Sequence, residues 1–169
     1  GALIIRGGRI AAAACVLPIG EGEVPETAGL RHRAALGLSE QTDAVVLVVT
    51  DTRLQLVGFG AHASGPVFVD FLDHRSKEVA CGHHARQNVL FRAIDPRSTR
   101  PSVLDATAGF GTDAFAIAAH GCRVIAIERS PVLAALLRDG LQRGARDGGP
   151  EVEAVIRRIE LVQEDARHY

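Results

Sequence analysis

The stretch that most constrains this chain is residues 102–129, SVLDATAGFGTDAFAIAAHGCRVIAIER. Residues 102–106 form a short apolar run that carries the acid Asp105, which predicts a strand. Gly109-Phe110-Gly111 can turn tightly because glycine has no Cβ. Residues 113–120 then bring Ala, Phe and Ile in a run suited to a buried helix. Gly121 stops that helix, and 122–127 is a β-branched strand that ends at Glu128. A glycine-rich turn from strand to helix sets backbone N–H groups and a helix N-terminus beside a ligand. An acid at the end of the second strand can accept hydrogen bonds from ribose hydroxyls. The pattern is the start of a nucleoside-binding βαβ unit, and the open question is which nucleoside.

Gly109 to Ala114 fits G-x-G-x-x-A, the dinucleotide fingerprint, which by itself is a weak signal. The surrounding charges argue against a pyrophosphate. Asp105 lies just ahead of the turn that contains Thr107, Gly109 and Gly111, and Thr112 and Asp113 follow it. Two carboxylates there would repel a phosphate and attract a cation. S-adenosylmethionine carries a sulfonium and an amino group and suits such a turn. Glu128 is followed by Arg129-Ser130-Pro131, with Ser as N-cap and Pro at the first position of a new helix. The acid followed by S-P is common after the second strand of class I methyltransferases. A third strand, 159–163, precedes Glu164-Asp165; in class I methyltransferases this position usually lies along the adenine edge, where a carboxylate can accept from the exocyclic amine. The plainer readings remain: Asp105 as a turn cap, Glu128 paired with Arg129 on the surface, and NAD as the ligand.

The 169 residues suffice for one domain and a small second one. Residues 10–17 suit a buried strand or the start of a helix. Residues 27–38 (TAGLRHRAALGL) have apolar groups at helical spacing. The β-branched run 44–50 and the alternating run 53–59 predict a hairpin, and 66–72 (PVFVDFL) a further strand. Residues 74–84 are polar and irregular, 86–94 predict a helix, and 95–101 (DPRSTRP) form the clearest linker. After the βαβ unit, 132–143 is a helix and 144–150 a loop. The expected organisation is a small α+β domain over 1–84, a helix and linker over 85–101, and the first half of a Rossmann-like α/β domain over 102–169.

Composition narrows the partners. A formal net charge of −1 argues against a strong chain-wide field toward nucleic acid or membranes. No apolar run reaches membrane-span length. Arg6 and Arg9 ahead of 10–19 faintly imitate a signal peptide, but an Ala-rich core segment is the better reading. Three scattered cysteines without a CxxC favour a reducing compartment, the cytoplasm, over a disulfide framework. The chain has no Met, even at position 1, so its N-terminus is expected to be processed, tag-derived or internal to a longer product.

Residues 103–144 resemble the cofactor half of the bacterial ribosomal RNA small subunit methyltransferase J family. The run D-A-T-A-G-x-G-x-D-A-F, then G-C-R-V, E-R-x-P and L-L-x-D-G-L, is far more specific than a generic glycine motif. Upstream, Gly65 to Phe71 and His74-Arg75 resemble the stretch before the cofactor domain, and Leu36-Gly37-Leu38 and the hairpin over 45–56 resemble the small N-terminal domain. The resemblance implies a class I methyltransferase fold and transfer from S-adenosylmethionine to the exocyclic N2 of a guanine in 16S rRNA, with the small ribosomal subunit as partner. It implies cofactor contacts at Thr112 and Asp113, ribose contacts at Glu128 and Arg129, and adenine-side contacts at Asp165 and Ala166. The chain departs from the family in two places. Val79-Ala80-Cys81-Gly82-His83-His84 replaces a glycine-rich basic segment. The family's Asp-Pro-x-aromatic-Pro motif, which holds the target amine, is absent, so no catalytic residue is assigned. The chain is therefore expected to be a fragment with weak cofactor binding and without full activity, its sheet ending at the first strand of the βαβ unit.

Other readings stay open. A class I methyltransferase of a small molecule or protein fits the near-neutral charge. A non-catalytic nucleoside-binding module fits the missing motif. His74, Cys81, His83 and His84 form a loose cluster whose spacing matches no strong zinc pattern, and no metal is expected. Arg86, Arg92, Arg97 and Arg100 could touch rRNA phosphates or line a solvated helix face. Asp70 can simply satisfy neighbouring backbone groups.

Overall fold

The structure, a computed structural model, describes residues 1–22, 29–57, 65–80, 93–94 and 101–169. Backbone contacts divide the chain into two compact units, Gly1–Val67 and Phe68–Tyr169. That division falls well before residue 84, the boundary expected from sequence. The expected 86–94 helix lies outside the described residues except for Ala93 and Ile94, which are helical. Most of the expected 95–101 linker also lies outside them.

In the first unit, β1 (Ala2–Arg6) and β2 (Arg9–Cys15) form an antiparallel hairpin. The ambiguous 10–17 run is a strand, but not the buried or core segment expected: β2 is largely exposed, Ile10 by 67%. Its partner was not expected, although Gly7 and Gly8, both at positive φ, make the two-residue turn that hairpins favour. Helix α1 (Leu30–Gln41) buries Ala35, Leu36 and Gly37. β3 (Leu47–Val49) and β4 (Leu54–Leu56) are the expected hairpin, shorter than the apolar runs that announced it. The Thr50 hydroxyl closes its turn by accepting from the Arg53 N–H at 3.1 Å.

The strand expected over 66–72 does not form. Val67 makes one isolated bridge to Leu56, and the chain then enters the second unit. The physical reason lies in its side chains. Val69 and Phe71 are each 4% exposed, and Phe71 stacks on Phe115 with ring centroids 4.6 Å apart. The apolar run is therefore satisfied by packing against helices. The buried Arg143 guanidinium locks it there, donating to Asp139 Oδ2 at 2.8 Å, to Asp70 Oδ1 at 3.5 Å and to the Val69 carbonyl. Glycines at 140 and 144 permit the approach: a Cβ on Gly140 would lie 2.5 Å from Val69 Cγ1.

Residues 74–80, expected to be irregular, form helix α2 (His74–Ala80). Asp73 caps it, its Oδ1 accepting from the Ser76 N–H at 2.7 Å. The βαβ unit follows as expected: β5 (Ser102–Asp105), α3 (Thr112–Ala119) and β6 (Arg123–Ile127). Helix α4 (Pro131–Asp147) starts at the expected Ser130 cap, whose hydroxyl accepts from the Leu133 N–H at 3.4 Å. It runs beyond 143, and α5 (Gly149–Ile156) takes up the rest of what was expected to be a loop and the residues after it. Val152, Val155 and Ile156 bury one face of α5, an i, i+3, i+4 stripe that outweighs the local Gly-Gly-Pro break. β7 (Ile159–Val162) completes a parallel sheet of order β5-β6-β7. Among the described residues β5 pairs with β6 alone, and Leu104 on it is 52% exposed.

Candidate functional site

Parallel strands end on the same edge of a sheet, and in open α/β sheets ligands bind beyond those carboxyl ends. Here each of the three ends carries an acid: Asp105 on β5, Glu128 just after β6 and Asp165 shortly after β7. The turn from β5 to α3 lies between the first two. Gly109 and Gly111 both have positive φ, 53° and 74°, a region that side chains disfavour. The Ala108 N–H donates to the Ile127 carbonyl at 2.9 Å, and Gly111 N–H donates to the Ala108 carbonyl at 2.7 Å, so the turn is bound to the end of β6.

Glu128 is the central acid. It is 8% exposed, and its two oxygens accept from the N–H groups of Gly109 at 2.9 Å and Ser130 at 2.6 Å. The plainer alternative, a surface pair of Glu128 with Arg129, does not hold: Glu128 is buried, Arg129 is exposed, and Arg129 interacts electrostatically with Asp165. Asp105 accepts from the Thr107 N–H at 3.1 Å, as a turn cap would. Burial raises its pKa, that hydrogen bond works the other way, and the nearby charges of Asp113 and Glu128 add to the rise. The three carboxylates thus crowd one another at the glycine turn. Thr107, Thr112 and Asp113 are exposed on it.

Asp165 stands apart. Arg167 grips it from the surface, with Nη2 at 2.6 Å and Nε at 3.0 Å. Its pKa is lowered to about 2, chiefly by the hydrogen bonds from Arg167, with smaller contributions from the charges of His168 and Arg129. Ala166 beside it is half-buried.

A cleft of about 740 Å³ opens beside the turn, where Phe110, Thr112 and Asp113 meet Arg75, Ser76 and Val79 of α2. Sequence reasoning assigned no role to that face of α2 because its polar residues masked the helix. The three-residue spacing of Ser76 and Val79 was the available signal. Among the described residues no three His, Cys, Asp or Glu side chains gather to hold a metal ion. Cys81, His83 and His84 of the loose cluster lie outside those residues, as do Arg86, Arg92, Arg97 and Arg100. No helix among the described residues is long and apolar enough to cross a membrane.

Residues 29–169 match the model of a family described as "Putative SAM-dependent methyltransferase". The chain belongs to that family. The chain's curated relatives include the ribosomal RNA small subunit methyltransferase J of Dechloromonas aromatica (strain RCB), 46% identical over 145 residues that make up 79% of this chain and 57% of the relative. The enzyme of the same name from Thioalkalivibrio sulfidiphilus is 42% identical over 126 residues, 74% of this chain and 49% of its own. This chain therefore spans about half the length of the curated relatives it matches. Among solved structures, a SAM-dependent methyltransferase from Neisseria gonorrhoeae aligns with a TM-score of 0.58 and 29% identity, covering 72% of this chain and 48% of that one. The Rossmann-like class I methyltransferase sheet expected from sequence is thus present in part.

Proposed function

We propose that this chain binds S-adenosylmethionine for methyl transfer to the exocyclic N2 of a guanine in 16S rRNA, with the small ribosomal subunit as partner and the cytoplasm as its place of action. The observation that carries the cofactor reading is the acidic seat: buried Glu128 clasping Gly109, with Asp105 and Asp113 near enough to repel. A dinucleotide would bring phosphate charge against these carboxylates, whereas a sulfonium nucleoside brings the compensating sign. The turn also leaves room, since a Cβ on Gly109 would come no nearer than 3.9 Å to any other group. Together the donors and the space fit the group.

Bound there, S-adenosylmethionine supplies an electrophilic methyl carbon for in-line attack by an amine nitrogen. The chain's part is to seat and orient it. Glu128 has lone pairs beyond those given to Gly109 and Ser130, and these would take the ribose hydroxyls with help from Arg129. Asp105 and Asp113 offset positive charge at the turn formed by Thr107, Gly109, Gly111 and Thr112. Asp165 and Ala166 would border the adenine. Holding the donor fixed turns a two-body reaction into a local one, and the acceptor base must leave any stack to reach it. The acceptor class rests on the names of the relatives.

Calorimetry on this chain tests the seat. S-adenosylmethionine and S-adenosylhomocysteine should bind and NAD should not; tight NAD binding would overturn the reading. Transfer of labelled methyl groups to purified small subunits by the gene's product tests the acceptor, and methylation of proteins or small molecules instead would redirect it.

A further inference from the structure

The cleft beside the glycine turn is floored by the stacked, buried pair Phe71 and Phe115. One of its walls is aromatic. Phe110 stands between Gly109 and Gly111, the two turn residues at positive φ, and is 44% exposed. Another wall carries Asp70, which is fixed from behind. Its Oδ1 accepts from the Leu72 N–H at 3.0 Å and from the buried Arg143 guanidinium at 3.5 Å, and Arg143 is itself held by Asp139 at 2.8 Å. The Asp70 side chain stays 34% exposed, and its second oxygen accepts from none of the described residues. A carboxylate anchored in this way presents its open oxygen in a set direction, as a recognition group must.

We propose that this cleft receives the acceptor base, with Phe110 as the face on which the base stacks and Asp70 as the acceptor for the guanine N1–H. The proposal rests on the acceptor reading above and adds the residues that choose the base. An enzyme that modifies a base takes it out of the helix, stacks it on aromatic or apolar side chains and reads its Watson–Crick edge. At N1 guanine carries a donor and adenine an acceptor, so a fixed carboxylate holds the first and repels the lone pair of the second. Because Asp70 takes N1–H, the neighbouring N2 amine stays available for attack on the methyl carbon. The volume of about 740 Å³ lies in the range of sites that hold small molecules. Among the described residues that line the cleft, the carboxylates of Asp70, Asp73 and Asp113 outnumber the one arginine, Arg75. A phosphate is therefore disfavoured inside, and the base enters without its backbone. Phe110 and Asp113 belong both to the cleft and to the glycine turn, so base and methyl donor share one opening.

Kinetics of the gene's product on purified small subunits test the assignment, with affinity for S-adenosylmethionine read by calorimetry and folding by the thermal midpoint. Asp70→Asn keeps an oxygen for the Leu72 N–H and turns an amide N–H₂ toward the base. Its KM for subunits should rise roughly tenfold or more, the scale of a hydrogen bond to a charged group. Phe110→Leu keeps apolar bulk and removes the ring, and its KM should rise about fivefold or more, the scale of base–aromatic stacking. Phe110→Tyr keeps the ring and should retain the wild-type KM. In all three variants the affinity for S-adenosylmethionine should be unchanged. A KM unmoved in Asp70→Asn or in Phe110→Leu, or a Phe110→Tyr that behaves as the leucine variant does, would overturn the assignment and leave the proposed function standing. A matching loss of cofactor affinity or of thermal midpoint would place the effect in the donor seat or the fold and equally overturn it. A wild-type product that methylates no guanine in small subunits would remove the acceptor reading and this inference together.

Discussion

The Glu128 carboxylate holds the Gly109 N–H at 2.9 Å, across the gap between the end of β6 and the turn that follows β5. Its other oxygen holds the Ser130 N–H at the start of α4. One buried acid thereby ties together a strand end, the glycine turn and a helix entry, so the group proposed to meet ribose also fixes the turn beside it.

Removing that acid should cost stability as well as affinity. Glu128→Ala leaves two backbone donors without their acceptor, and about 1–3 kcal/mol of destabilisation is expected. Glu128→Gln keeps one acceptor oxygen but turns an amide N–H₂ toward the other donor, so its loss should be smaller. Urea unfolding followed by circular dichroism measures both. Two variants as stable as the wild type would mean that Glu128 does not hold the turn.

The two glycines of the turn should respond differently to alanine. At Gly109 the added methyl meets only positive φ, and about 1 kcal/mol is expected. At Gly111 it also meets Leu137 Cδ1 at 2.5 Å, inside the core. Gly111→Ala should therefore lower the thermal midpoint clearly more than Gly109→Ala, and calorimetric scans of the two would check the order.

Arg143 should be among the costliest single losses. It is 7% exposed and serves Asp139, Asp70 and the Val69 carbonyl at once. Arg143→Ala strands partly buried carboxylates, and about 3–5 kcal/mol of destabilisation is expected. Lysine has one ammonium in place of a fork and should not rescue it. Hydrogen exchange should quicken at Leu72, whose N–H is held by Asp70 at 3.0 Å.

Asp105 should trade stability for binding. Its folded pKa is raised, chiefly by burial, above the ordinary 3.8. The folded protein then binds a proton more tightly than the unfolded chain, so stability falls as pH rises above that ordinary value. Asp105→Asn keeps an oxygen for the Thr107 N–H and removes the charge. The variant should be more stable than the wild type at pH 7, lose that advantage near pH 3, and bind S-adenosylmethionine more weakly. Denaturation at the two pH values and calorimetry check all three outcomes.

Asp165 has the opposite sign. Arg167 depresses its pKa to about 2, so the pair contributes above the ordinary carboxylate value of 3.8 and is lost as pH falls through about 2. An NMR titration should find that low midpoint, and Arg167→Ala should return it toward the ordinary range.

Local signals were legible wherever local chemistry decides the backbone. Gly109 and Gly111 turn because they lack a Cβ. Ser130-Pro131 starts a helix because its side chain and ring suit the first turn. The β-branched run ending at Glu128 extends because it is buried on both faces of a parallel sheet. The order of Asp105, Glu128 and Asp165 along the chain, set by strand ends, pointed to one sheet edge before any coordinates.

Tertiary structure decided what distant residues settle between them. Residues 66–72 read as a strand by pattern, yet the segment packs on helices because Arg143, Gly140 and Phe115, far along the chain, offer it ion pairs, close approach and a stacking face. Residues 144–150 read as loop, yet one helix runs on to Asp147 and burial of Val152, Val155 and Ile156 draws Gly149–Ile156 into another. The sequence by itself determined a sulfonium-friendly glycine turn with acids around it, since charge and φ are properties of single residues. Only the fold decided that Glu128 clasps that turn, and that Arg75 of α2 and Asp113 of α3 line one cleft, because those relations exist between elements distant in the chain.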